Sequence, residues 1–248
     1  MTIDSALTAL AIILSVVSVG LSGWFSVRTA RLSQRLSEER AEREEAQSAL
    51  KAAQRIYEPL AQAAAELQSR IVNIVETGWV PLMKRYESHG DYAIISTSFL
   101  FAHYFGWVEA RRQAVLSSSG EGGRDVGVQA LIDGVVSTLR RSEDGGEAFV
   151  FFTTEQRAIG ELMCGWEIVS KQRVPTVKGY ASFVAAYRSD ESFRDWFSPV
   201  TAGMNLVSQG NHSRLVPIQR ALVALIRELD PKSKFTFGYE LVEMELGE

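Results

Sequence analysis

Two pairs of opposite charges lie inside otherwise apolar stretches, and they are the side chains best placed for chemistry. In WVEARRQAVL, Glu109 and Arg112 are three residues apart and share a helix face. In TTEQRAIGELMCGWE, Arg157 and Glu161 are four apart and do the same. A carboxylate beside a guanidinium in an apolar setting can hold a polar ligand or move a proton, if burial tunes its acidity. Pairing is also how a folded domain neutralises a charge that it must bury.

The surroundings separate the two pairs. A helical wheel over the second gathers Ala158, Ile159, Leu162, Met163, Trp166 and Val169 on one side. Arg157, Glu161 and Cys164 lie roughly opposite, the pattern of a solvated, ion-paired face. Gly160 and Cys164, small and one turn apart, offer a close helix approach there. Glu109 instead belongs to a helix with few exposed positions, so it needs an arginine, either Arg112 on its own turn or Arg157 from another helix. The expected role of the cluster Glu109, Arg112, Arg157 and Glu161 is structural, with ligand binding or catalysis as the alternative. No residue is assigned as catalytic.

Other reactive side chains form no constellation. Cys164, the one cysteine, has no histidine near it in sequence and reads as a small buried thiol. His103 sits among Phe101, Tyr104 and Phe105 as a satisfied core histidine. With His89 and His212 far apart in sequence, no zinc ligand set is expected. The loop SSSGEGGRDVG, Ser117–Gly127, lacks the Gly-Lys-Ser/Thr that completes a phosphate cradle. No dinucleotide fingerprint and no Gly-x-Ser-x-Gly occur, and no cofactor is implied. Asn211-His-Ser213 matches a glycosylation acceptor, a triplet too short to carry weight.

The elements that would position these residues begin with Ser5–Val27, a run of about 23 uncharged residues, just past the roughly 20 that cross a bilayer as a helix. It lacks the basic start and small-residue cleavage site of a secretory signal, so a retained transmembrane anchor behind a short tip, residues 1–4, is expected. Arg28, Arg31 and Arg35 follow the run, and no lysine or arginine precedes it. The positive-inside bias therefore puts everything after the anchor in the cytoplasm, with Trp24 and Phe25 at the interface. Ala11, Ser15, Val19 and Gly23 form one small-residue row and Ser18, Ser22 and Ser26 another, faces through which anchors can associate.

Residues 28–58 read as a charged helical spacer. A heptad seam runs through Ala46, Leu50, Ala53 and Tyr57 and on to Leu60, Ala64, Leu67, Ile71 and Ile74. Backward it meets Arg43 and Glu39, which weakens it as a homo-oligomer zipper. Pro59 is expected to end this helix and begin another, whose stripe then faces a core.

Residues 59–248 read as an all-α cytoplasmic domain of about six or seven helices with little or no strand. Tyr92–Leu116 is apolar around nearly its whole circumference and is expected at the centre, although Tyr92–Val108 reaches the lower length limit for a second span. Thr77-Gly78 ends the helix before it. Later helices are expected over Val128–Arg141, from a Thr153/Gln156 capping box to about Ser170, over Tyr180–Tyr187, and through Ser192–Phe197. A last helix is capped by Ser213 and stopped at Asp230-Pro231. Ala148–Phe152 is expected as a short strand or a buried entry to the next helix, and the tail Phe235–Glu248 as a strand or a docked extension.

At 248 residues, with 46% hydrophobic side chains, the chain can bury a core. A net charge of −4 with no basic stripe argues against nucleic acid as a partner. The function expected is a single-pass, membrane-anchored interaction or scaffold protein that binds a protein partner or itself. A small-ligand receptor or enzyme built on the charge cluster, and an effector that oligomerises through its anchor, are the alternatives.

Overall fold

A computed structural model of the chain describes Trp24, Arg28 and residues 33–37, 39–41, 43, 54–79, 90–117, 123–142, 146–169 and 172–245. The chain divides into two compact units, Met1–Ala53 and Gln54–Glu248. In the first, the described residues are helical and exposed. Arg28 stacks 5.2 Å from the Trp24 ring, and Glu39 and Arg43 form a 3.7 Å pair one turn apart. Seam positions of charged type thus satisfy each other along their own helix. The expected anchor lies outside the described residues except for Trp24. Among the described residues, no helix is long and apolar enough to cross a membrane.

The second unit is a helical domain built around one central helix. Its described elements are α1 (54–76), α2 (Gly90–Ser117), α3 (Gly123–Arg140), α4 (Thr153–Met163), β1 (Cys164–Val169), β2 (Gln172–Val177), α5 (Tyr180–Ser189), α6 (Glu191–Asp195), α7 (Ser198–Val207) and α8 (Leu215–Leu229). From Ala93 to Ala114 no residue of α2 is exposed, as its all-round apolar sequence requires. It packs against α4, the β1–β2 hairpin, α5 and α7. Tyr92–Val108 is therefore packed into the domain from Ala93 on, with Tyr92 exposed at its start, and is not a second span.

Helix α1 lies against α2 in the antiparallel sense. Tyr57 meets Arg111 (6.0 Å, ring to guanidinium), Glu66 faces His103, and Arg70 reaches Ser96. The stripe Leu60, Ala64, Leu67, Ile71 and Ile74 is buried, so the heptad pattern here serves the domain's own core. Pro59 does not break this helix, contrary to expectation: helix is continuous across it. Proline removes one backbone bond, but Ile56 and Leu60 on either side are both buried, and that shared core face holds the helix together. The helix stops where expected, at Gly78 with φ of 63°.

The sharpest departure follows α4. The helix expected to reach Ser170 ends at Met163, and Cys164–Val169 pairs antiparallel with Gln172–Val177, Cys164 opposite Val177 and Trp166 opposite Pro175. Gly165 weakens a helix there and the β-branched Ile168, Val169, Val174, Thr176 and Val177 suit a ladder. Proline is tolerated because both strands of a two-stranded sheet are edges. Strand is confined to this hairpin among the described residues.

Two caps also move. Phe152, not Thr153, precedes α4, and its N–H donates to Glu155 (2.7 Å). Gln156 is buried and donates to the carbonyls of Phe151 (2.8 Å) and Val136 (3.2 Å). Before α8 the cap is Arg214 rather than Ser213, whose hydroxyl turns to Asn211. Arg214 itself donates to the carbonyls of Thr138 and Leu139 in the last turn of α3. Asp190 caps α6, accepting from the Phe193 N–H.

Ala148–Phe152 is a lead-in to α4 rather than a strand, with Phe149, Val150 and Phe151 buried. Phe149 has φ of 53° and presses its ring against Gly203 of α7, where a Cβ would lie 2.3 Å away. The left-handed conformation costs about 1–2 kcal/mol, which burying a phenylalanine offsets. The tail is likewise a docked segment. Asp230 is buried and accepts from the backbone of Lys234, Phe235 and Thr236 and from the Thr236 hydroxyl. Burial opposes its charge, but these donors outweigh that and keep the carboxyl below its usual range. Beyond this turn, Gln219 donates to Val242 (2.7 Å) and accepts from Met244 (3.1 Å), while Gln68 of α1 reaches Glu240.

Gln219 is fully buried, so Gln219→Ala leaves two tail backbone groups without their partner. The expected loss is about 1–3 kcal/mol, with faster amide exchange at Met244 before the rest of the domain opens. Unchanged protection of Met244 would show that the tail is held by other contacts.

Candidate functional site

All four sequence-derived charges lie on α2 and α4, two helices that pack against each other. Small residues set that contact. A Cβ on Gly160 would lie 2.7 Å from the Phe105 carbonyl oxygen and 2.9 Å from the Glu109 Cβ. One on Gly106 would meet Val177 at 2.6 Å. The backbones of α2 and α4 thus touch where Glu109 begins its side chain. Gly160 makes the close approach, whereas Cys164 opens the first strand.

Glu109 is 3% exposed and saturated. Arg112 Nε donates to Oε2 at 2.7 Å and Arg112 Nη2 to Oε1 at 2.6 Å, a bidentate fork. Gln113 Nε2 adds a third bond to Oε1 at 2.6 Å. Burial pushes the carboxyl up, but the Arg112 and Gln113 hydrogen bonds and the charges of Arg112 and Arg157 outweigh it, so its pKa lies below the ordinary 4.5. A carboxylate held ionised, with both oxygens engaged, is an acceptor only. It suits neither a general acid nor a base poised near neutrality.

Arg157 and Glu161 pair at 3.1 Å, both side chains more than half exposed, as the helical wheel implied. They stay in the field of the first pair. Arg157 stabilises Glu109, and Glu161 helps hold the Arg112 proton. Charges of alternating sign thus run along one edge of the α2–α4 contact. The outer pair contributes little stability by itself, because water screens it.

Cys164 is half-buried next to this cluster. Burial, then the Glu109 charge, pushes its thiol up, with Arg173 and the Gly165 backbone only partly opposing. That is the reverse of a nucleophile's environment. His103 stacks on Phe99 with centroids 5.1 Å apart. Its Nε2 accepts the Trp107 indole N–H at 3.1 Å, while Nδ1 faces Glu66 at 3.6 Å. No group of histidine, cysteine and acidic side chains fit to hold a metal occurs among the described residues. A shallow cavity of about 390 Å³, lined by Val75, Gly210, Asn211, His212, Val216 and Glu245, includes none of the four charges.

A second polar cluster carries no short-range sequence signal. Arg70 comes from α1, Ser96 and Thr97 from α2 and Tyr180 from α5, so only the packed helices assemble it. The periodicity of Leu67, Ile71 and Ile74 predicted a buried face for α1 without marking the arginine at its edge.

Removing either partner of the inner pair has unequal consequences. Arg112 is 37% exposed, so Glu109→Ala strands a cation that water and Glu161 still reach, at about 1–3 kcal/mol. Arg112→Ala strands the buried carboxylate and is expected to cost about 3–5 kcal/mol. Because the folded carboxyl is the more acidic form, its contribution is present above the ordinary glutamate pKa and is lost as pH falls below 4.5 through the folded value. Denaturant melts of the two variants at pH 7 and at about pH 3 measure this. Equal, negligible losses at neutral pH would mean the pair is dispensable to the fold.

Compared with protein-family models, curated proteins and solved structures, the chain finds no match in any of the three.

Proposed function

We propose that this is a single-pass membrane protein whose helical domain faces the cytoplasm and works as an interaction module. The observation that carries the reading is the uncharged run Ser5–Val27 followed at once by Arg28, Arg31 and Arg35. A helix of that length crosses the hydrocarbon core, and the basic flank stays on the cytoplasmic side. The small-residue rows of the run provide a face for self-association, and the charged spacer adds a weak one.

The body supports a binding role more than a catalytic one. Its best-placed carboxylate is spent on its own helix through Arg112 and Gln113. Its hairpin, by contrast, is only half packed. Cys164, Gly165 and Trp166 lie partly covered, while Glu167, Ile168 and Val169 are exposed, Ile168 at 82%. Arg173 across the ladder stacks on Trp166 at 4.4 Å, stiffening the strand pair below those residues. An apolar end with open ladder edges suits a protein partner that adds a strand or covers the two side chains.

Topology is the decisive test. With Cys164 replaced by serine, a cysteine in place of the exposed Ser189 at the end of α5 should be shielded from an impermeant thiol reagent in intact cells. It should react once the cells are lysed. Equal labelling in intact and lysed cells would place the domain outside, and recovery of the protein in the soluble fraction would remove the anchor.

A further inference from the structure

Arg70 is a cation held by neutral groups. It projects from α1 and is half-buried. Its Nη1 donates to the Ser96 hydroxyl at 2.9 Å and the Thr97 hydroxyl at 3.4 Å. The Trp79 ring covers its guanidinium face at 3.9 Å. Tyr92 and Tyr180 both lie close enough to act on its charge. No carboxylate among the described residues forms an ion pair with it. Glu66, one turn away on α1, is directed to His103 at 3.6 Å.

This is an unusual setting for an arginine. Burial works against its charge, and the neutral groups around it compensate only in part, so its proton is held less tightly than usual. Structural arginines in such positions meet a carboxylate. Here the surrounding groups are hydroxyls, which donate to an anion as readily as they accept from a guanidinium. Tyr92 and Tyr180 are both part-exposed, so the cluster opens to solvent. Arg188 adds a second positive charge near Tyr180. Phe99 buttresses Tyr180 edge-on at 5.2 Å and fixes where its hydroxyl points.

We propose that Arg70, with Tyr92 and Tyr180, forms a binding site for an oxyanion, the carboxylate or phosphate group of a small molecule. The guanidinium, stacked on Trp79 and tied to Ser96 and Thr97, is pre-oriented and presents a fork geometry that both groups match. Binding would supply a counter-charge that no carboxylate among the described residues provides through an ion pair. It would also tie α1, α2 and α5 together at one point, so occupancy is expected to stabilise the domain by mass action.

The test uses the full-length protein in a neutral detergent, melted at constant ionic strength in chloride, acetate or inorganic phosphate. Acetate or phosphate should raise the melting temperature above that in chloride by several degrees, saturating in the millimolar range, and the stronger of the two identifies the group. Arg70→Gln should abolish the saturable rise. Tyr180→Phe removes only a part-exposed hydroxyl, and should shift half-saturation several-fold if Arg70→Gln does not fold. Lys232→Gln, at an exposed position elsewhere, should respond as the parent does. A rise that is linear, or the same in all four proteins, would be a general salt effect and would overturn the site. So would equal melting temperatures in the three anions.

Discussion

The domain depends on how closely α4 can approach α2. Gly160 has no side chain, so its backbone rests on the Phe105 carbonyl and the root of Glu109. That contact fixes the axis around which the other elements assemble. Phe101 and Phe105 of α2 then meet Phe151, whose ring centroid lies 5.4 Å from each, and the lead-in to α4 closes over the end of α3. At the opposite end of α4 the chain leaves as a strand, because Gly106 leaves room for Val177 of the hairpin. Two glycines on facing elements thus decide both where the helix packs and how it ends.

The same closeness explains the charge cluster. A carboxylate rooted in a backbone contact cannot move to water, so it must be satisfied where it stands. Arg112 and Gln113 do this from its own helix, and Arg157 supports it through space from α4. Cys164, next to an ionised glutamate and half-covered, is correspondingly hard to deprotonate. The cluster is one electrostatic unit with a buried and a solvated end. Arg70 is its counterpart in reverse: a cation set among hydroxyls and rings, with no carboxylate among the described residues paired to it.

Periodicity revealed what repeats along one element. The all-round apolar character of Tyr92–Leu116 marked the central helix, the stripe Leu60 to Ile74 marked a core face, and the isolation of Glu109 marked a buried pair. What depends on tertiary contact was not legible. Pro59 breaks a helix by local rules, yet buried residues on both sides hold it through. Residues 164–169 continue a helical wheel well, and only pairing with Gln172–Val177 makes them a strand. Arg214, just before α8, and Gln219, within it, look like ordinary surface residues in sequence, but they reach the end of α3 and fasten the tail. Arg70 gave no sign because its partners lie on other helices. Ser5–Val27, most of which falls outside the described residues, is read from length and flanking charge alone.

Gly160 carries the α2–α4 contact, and an alanine there separates that contact from local helix preference. By helix propensity alone, Gly160→Ala should stabilise α4 by about 1 kcal/mol. If the backbone contact with α2 organises the domain, the added methyl meets a carbonyl oxygen and a Cβ that cannot turn aside, and overpacking should destabilise it by about 1–3 kcal/mol. Equilibrium denaturant unfolding of the full-length protein in detergent, followed through the domain's tryptophans, measures the difference. A lower midpoint for the alanine variant is the predicted result. A midpoint equal to or above that of the parent would contradict the central role given to the α2–α4 contact.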